Sequence, residues 1–399
     1  EVYWLPEREN GGNIDSLRSF TKTLVNIAHE LDPARLTSIR KFYEGSDIVD
    51  VFSPSIWAGW YSGVYKSYEK AIQNSQKEYP HFFHAEYGGS SHLGRHSENP
   101  ITGDGLVNPD EWAEEVNQIS VKNVANIGDW SENYIVDLFD WHLKVSETNK
   151  NITGNAQWAF KDFGTPLRPE NPIPYMNQKG LVDRKGNPKD AYYVFKSYWN
   201  NKDKFAYIES HTWKERSGPE GVERELCVYS NCPEVELIID GKSLGKKKKD
   251  INQFPASGLS WNIEFNKGIN SIEAIGFENG KQVAEDKLEI NYSNEKNGDP
   301  EKFNLFAERL SNGNYLITAI AFDENKNRCL GYNDRVYFSA EGKGKLIENY
   351  GTPTKSSIIE MANGKAQIEF KPVPFEKTTI EIRNQNFKGD YLVIDGVNN

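Results

Sequence analysis

Up to about Lys204, apolar positions switch between two periods. Leu17, Phe20, Leu24, Ile27 and Leu31 recur at helical spacing and predict an amphipathic helix that stops before Pro33. Tyr65–Tyr79, Trp112–Ile127, Tyr134–Val145 and Ala191–Trp199 predict further helices. Short apolar runs at Val2–Leu5, Leu36–Ile39, Ile48–Ser53, His81–Ala85 and Asn155–Phe160 predict strands. Strands alternating with helices imply βα units and a parallel sheet. These are too few strands for a closed eight-stranded TIM-type barrel. The chain is expected either to form an open α/β sheet or to begin mid-barrel, and its opening inside a strand favours the second.

Beyond Lys204 the pattern changes to short alternating runs separated by turns. Leu226–Tyr229, Val235–Ile239 and Ser271–Ile275, with turns at Asp240-Gly241 and Asn279-Gly280, predict a β-sandwich. The polar stretch from Ser293 to Pro300 reads as a linker. Tyr315–Phe322, Arg335–Ser339, Ala366–Phe370 and Thr379–Arg383 predict a second sandwich. The expected domains are residues 1–203, 204–292 and 301–399.

Composition narrows the partners. The chain has 399 residues, a net charge of −11 and 13% aromatic residues, which disfavours nucleic acid and anionic membranes. The basic run Lys246–Lys249 follows a turn and reads as a solvated hairpin edge. No apolar stretch approaches the ~20 residues of a membrane span. Cys227, Cys232 and Cys329 show no paired spacing, so buried free thiols are expected and the redox compartment is undecided. No metal-ligand cluster is read from the spacing of His81, His84, His92 and His96. No cofactor is expected.

Two glutamates fall at strand ends, where a parallel barrel gathers its chemistry: Glu9 after the first run and Glu86 after Phe82-Phe83-His84-Ala85. Paired carboxylates on different strands suit glycoside hydrolysis, one protonating the leaving oxygen while the other attacks or activates water. Strand-end glutamates are also common as solvated or ion-paired groups. The aromatics Trp57, Trp60 and Trp158 at neighbouring strand ends add flat apolar faces of the kind that sugar rings stack on. Strand alternation places His84 on the face of Glu86, where it could enter the pocket.

At this point a resemblance becomes specific. His84-Ala85-Glu86-Tyr87-Gly88-Gly89 resembles the nucleophile strand of glycoside hydrolase family 2, and Trp158–Phe163 resembles that family's last barrel strand. Gly59-Trp60-Tyr61 and Asn177–Asp183 through Pro188-Lys189 are similar to further family elements. The resemblance covers roughly residues 1–200, and the β-domains that follow look like those appended to many bacterial members. It implies the C-terminal half of a (β/α)8 barrel followed by two immunoglobulin-like β-sandwich domains, an α/β plus all-β fold. It also implies hydrolysis by double displacement, with Glu86 as nucleophile and Glu9 as acid/base (Glu7 the fallback), the two carboxylates about 5–5.5 Å apart.

Two departures accompany the match. Arg8 stands where the family has an Asn that contacts the 2-hydroxyl, and Trp57 stands where it often has a Tyr. A guanidinium donates but cannot accept hydrogen bonds, and its charge disfavours a protonated neighbour. For the substrate, the resemblance implies an oligosaccharide with a terminal β-linked sugar. Asn177-Gln178-Lys179 is similar to the element by which family β-glucuronidases hold the sugar carboxylate. The Thr165–Pro169 loop and the rest of Lys161–Trp199 look more like β-galactosidase-type members, some directed at algal galactans, and favour that reading. The third reading is a truncated carbohydrate-binding or structural module. The active enzyme is expected to contain upstream sequence, on this polypeptide or a partner chain. A periplasmic or secreted location is the expectation, and a homo-oligomer is compatible with it.

Overall fold

The structure is a computed structural model that describes residues 13–108, 110–113, 118–127, 129–347 and 357–396. The first helix, α1 (Ile14–Leu31), starts where the Asn13 side chain accepts from the Ser16 amide, and it ends one residue before Asp32-Pro33. Its period is the one the sequence predicts, but Phe20, Leu24, Ile27 and Leu31 remain largely exposed.

Four short strands follow: β1 (Ser38–Arg40), β2 (Val51–Ser53), β3 (His84–Tyr87) and β4 (Asn155–Gln157). β1 pairs parallel with β2, Phe52 bridges Phe82 in parallel, and β3 pairs parallel with β4. The result is an open arc of parallel strands. A complete TIM barrel is not formed by the described residues. Helices α2 (Ser67–Glu78), α3 (Glu132–Thr148) and α4 (Asp190–Trp199) complete the α/β region. Trp60, Tyr87, Tyr134, Leu138, Phe139 and Phe195 form the centre of its core.

The helix expected over Trp112–Ile127 is corrected among the described residues. Leu106–Val107 pairs antiparallel with Ile119–Ser120, and only Val124–Ile127 is helical. The Asp110 side chain accepts from the Trp112 amide, the local bond by which Asp diverts backbone from a helix into a turn.

Two β-sandwiches follow. In the first, a five-stranded sheet runs in the order Glu215–Ser217, Lys281–Ser293, Gly268–Glu278, Glu234–Ile239, Lys242–Lys248. It faces a three-stranded sheet of Gly258–Ile263, Arg224–Ser230 and Ala206–Ile208. Lys242–Lys248 is the exposed edge of its sheet, so the basic run protects a strand edge. The second sandwich packs two four-stranded sheets, and its core takes in Ile173 and Met176 from the α/β region. Trp213 and Trp261 are buried, and the three cysteines are free thiols. No described helix is long and apolar enough to cross a membrane.

Asp140 joins α3 to the first sandwich. Its buried carboxylate accepts from the backbone amides of Ala256 at 2.8 Å and Ser257 at 3.1 Å and from the Tyr198 hydroxyl at 2.6 Å. Burial pushes its carboxyl above the usual range, opposed by these donors. Asp140→Ala strands buried donors, at ~1–3 kcal/mol each. With three donors stranded, the expected result is a loss of about 3 kcal/mol or more in chemical denaturation, and a change within error would remove Asp140 from this role.

Candidate active site

The site forms where β1, β3 and β4 end. β3 does not keep simple alternation: His84 pairs with Asn155 and Tyr87 with Gln157, three residues advancing against two. Such a bulge re-aims side chains. His84 therefore turns into the core, where its Nδ1 meets the Tyr68 hydroxyl at 2.9 Å and its Nε2 the Ile56 carbonyl at 3.2 Å. Burial lowers its pKa to about 4. Glu86 turns the other way, and its Oε1 lies 3.2 Å from the Arg40 guanidinium. Gly88 follows with φ of +146°, and a Cβ there would sit 2.9 Å from the Trp158 carbonyl oxygen, so glycine alone allows the close passage of β3 past β4.

Glu86 opens into a cavity of about 240 Å³ whose wall includes Trp57, Tyr61, Trp158, Arg168, Asn177 and Lys179. Arg40, Lys41 and Ser55 complete it. A larger cavity of about 710 Å³ lies against the first sandwich but contains none of these groups, so the chemistry singles out the smaller one.

The loop carrying Asn177 and Lys179 is held firmly. The Lys179 carbonyl accepts from the Ala159 amide and from the Gln157 side chain, each at 3.0 Å. Asn177 Oδ1 accepts from the Lys179 amide at 3.1 Å. Beneath it the buried Lys189 ammonium donates to the Ser91 carbonyl, the Gln178 carbonyl and Asp162, tying the exit of β3 to this loop.

The Lys179 ammonium then reaches into an aromatic corner. It donates to the Tyr61 hydroxyl at 2.9 Å and lies 5.3 Å from the Trp57 ring centroid. Arg168 donates to the same hydroxyl at 3.0 Å. Two cations thus converge on one neutral oxygen, and Arg168 also pairs with the exposed Glu170 at 3.5 Å. Desolvation first, and then the neighbouring Arg168 charge, push the Lys179 ammonium down to about 7, with Glu86 opposing.

Of the residues singled out from sequence, Glu86, Trp57, Trp158, Asn177 and Lys179 come together around this cavity. Trp60 does not line it: it is buried against Trp130, edge to face at 5.4 Å. His84 is removed from it by the bulge. Arg8, Glu9 and the fallback Glu7 lie outside the described residues. Sequence patterns do not single out Arg40, Lys41, Ser55, Tyr61 and Arg168. Tyr61 and Arg168 sit inside stretches that carry the family resemblance, and Arg40 ends β1, a strand-end position of the kind where a parallel sheet gathers its chemistry.

Residues 221–284, within the first sandwich, match a family model described as a domain of unknown function (DUF4982). A Formosa agariphila protein carried under the provisional name β-glucuronidase is 61% identical over 399 residues, 99% of this chain and 48% of that protein. A β-galactosidase of Bacteroides ovatus is 29% identical over 232 residues, 56% of this chain and 25% of its own length. The apo structure of Bacteroides uniformis β-glucuronidase 3 superposes with a TM-score of 0.86 at 39% identity, covering 98% of this chain and 49% of that one. The chain thus spans about half the length of the Formosa relative and of the solved structure. Along nearly its whole length the chain matches the C-terminal half of glycoside hydrolase family 2 proteins of the β-glucuronidase/β-galactosidase group.

Proposed function

We propose that this chain supplies the nucleophile and the sugar-carboxylate pocket of a retaining β-glucuronidase. The observation that carries the reading is the convergence of Lys179 and Arg168 on the Tyr61 hydroxyl beside Glu86. Cations crowded onto a neutral acceptor favour an arriving anion, and a neutral galactoside offers none. The names of the Formosa and B. uniformis proteins support the same choice. The preference for β-galactosidase drawn from the Lys161–Trp199 region gives way to it.

In this reading Glu86 attacks the anomeric carbon as the bond to the leaving oxygen breaks, forming a covalent glycosyl-enzyme. A second carboxyl group, for which Glu9 is the candidate, protonates that oxygen and then deprotonates the water that releases the sugar. Trp57 and Trp158 offer apolar walls to the ring, and Asn177 with Lys179 holds its carboxylate.

The test is a comparison of aryl β-glucuronides with aryl β-galactosides across pH. Lys179 binds an anion only when protonated, and its pKa in the free site is about 7. Below that pH the ammonium is charged; above it the charge is lost. The ratio of kcat/KM for glucuronide over galactoside is therefore expected to be flat at low pH and to fall about tenfold per pH unit above neutrality. A ratio near unity at low pH would overturn the glucuronidase reading.

A further inference from the structure

Three side chains far apart in sequence meet in the interior beneath the junction with the first sandwich: His96, Glu132 at the start of α3 and Asp190 at the start of α4. All three are buried, and one ligand-type atom from each lies within 4.8 Å of the others. Sequence spacing alone points to no ligand cluster here, because α3 and α4 are brought to His96 only by the fold.

Their hydrogen bonds leave one gap that the protein does not fill. The Ser210 hydroxyl donates to Asp190 Oδ1 at 2.8 Å, so the 3.0 Å contact between Ser210 and Thr212 requires Thr212 to be its donor. Thr212 therefore accepts from His96 Nε2 at 2.8 Å. That assignment puts the proton of neutral His96 on Nε2 and leaves Nδ1 as a bare lone pair. Nδ1 faces Asp190 Oδ2 at 3.9 Å, and both atoms are buried without a hydrogen-bond partner. Two acceptors facing each other in the interior call for something positive between them.

Charge points the same way. Glu132 accepts from the amides of Gly94 at 2.6 Å and Asp190 at 2.7 Å, which leaves each oxygen a further lone pair. Among the described residues, no Lys or Arg pairs with Glu132 or Asp190: the nearby Lys189 and Arg216 pair with Asp162 and Glu98. His96 lies 3.9 Å from both carboxylates, Nε2 from Glu132 Oε1 and Nδ1 from Asp190 Oδ2, so while its imidazole is neutral the two buried carboxylates have no cation, which is costly. An imidazole nitrogen with two carboxylates is a donor set for first-row divalent ions, whose ~2.0–2.2 Å bonds roughly span the gap between Nδ1 and Oδ2.

We propose that His96, Glu132 and Asp190 bind one structural divalent transition-metal ion, of the Zn²⁺ or Mn²⁺ class, which locks the loop after β3 and α4 to the first sandwich through Ser210 and Thr212. The site shares no residue with the Glu86 cavity and does not depend on the glycosidase reading.

The purified protein is stripped with a chelator under conditions that allow refolding, and ZnCl₂ or MnCl₂ is returned in a calorimeter. Elemental analysis follows the bound metal. One equivalent is expected, with a rise of several degrees in Tm, and both are expected to be lost in His96→Gln and Asp190→Asn while Glu86→Gln keeps them. Absence of bound metal and of titration heat in the wild type would overturn the proposal, as would full retention of the metal by both variants. If neither variant folds, X-ray absorption of the wild-type Zn²⁺ protein decides: a first shell of nitrogen and oxygen with an imidazole signature supports the site, and a sulfur-containing or all-oxygen shell overturns it.

Discussion

Glu86→Gln is expected to lower turnover of aryl β-glucuronides by about four orders of magnitude or more, some 5.5 kcal/mol of transition-state stabilisation at about 1.36 kcal/mol per decade. The amide keeps the shape of the side chain beside Arg40 but cannot form the glycosyl ester through which a retaining enzyme passes. Loss in kcat with KM little changed is the expected pattern, measured on a highly activated aryl glycoside so that the first displacement is followed directly. Added azide provides a second readout in variants of the carboxylates, because a small anion can take the place of a missing carboxylate at the anomeric carbon. Equal turnover by wild type and Glu86→Gln would remove Glu86 from the mechanism, whatever the sugar.

Lys179→Ala carries the next largest effect and tests specificity instead of chemistry. Its ammonium is buried among Trp57, Tyr61 and Ser90, and a carboxylate brought there would be paired away from water. Truncating one partner of a buried, hydrogen-bonded charge pair costs several kcal/mol, so kcat/KM for glucuronides is expected to fall about 10²–10³-fold. The same change should leave any residual galactoside cleavage within about threefold, because a neutral 6-hydroxymethyl group never needed the charge. An equal loss on both substrates would assign Lys179 to holding the pocket together and not to reading the sugar. Tyr61→Phe is a useful companion. Removing the hydroxyl leaves Lys179 and Arg168 facing each other without their shared acceptor, and weaker glucuronide binding is expected from the poorer orientation of both cations.

Much of the architecture is legible in the residue pattern. Buried sandwich strands show period-two alternation, with residues such as Leu226 and Val228 inward, because each pleated strand has one dry face. The Glu86 strand, the Trp158 stretch and the Asn177–Lys179 loop stand out because their residue types sit at fixed short spacings, and local spacing survives folding. Where local rules fail, a longer-range choice overrides them. Trp112–Ile127 has enough apolar residues for a helix, but pairing of Leu106–Val107 with Ile119–Ser120 claims its backbone. His84 and Glu86 share a face by alternation, but the register of β3 against β4 inserts a bulge between them.

The residue types that make chemistry conceivable here are set by the sequence alone: a carboxylate followed by two glycines, three tryptophans near strand ends, and an Asn-x-Lys loop. Only the tertiary structure decides which of them meet. It leaves Trp60 in the core and brings Arg40 and Arg168 to the pocket from distant segments, since Arg40 ends β1 and Arg168 rides the loop after β4. It also buries His96 between two carboxylates supplied by α3 and α4. The physical reason is the same throughout. Periodicity and turn chemistry are written within a few residues and act locally, whereas burial, charge pairing and pocket shape arise from segments whose proximity exists only after the whole core has packed.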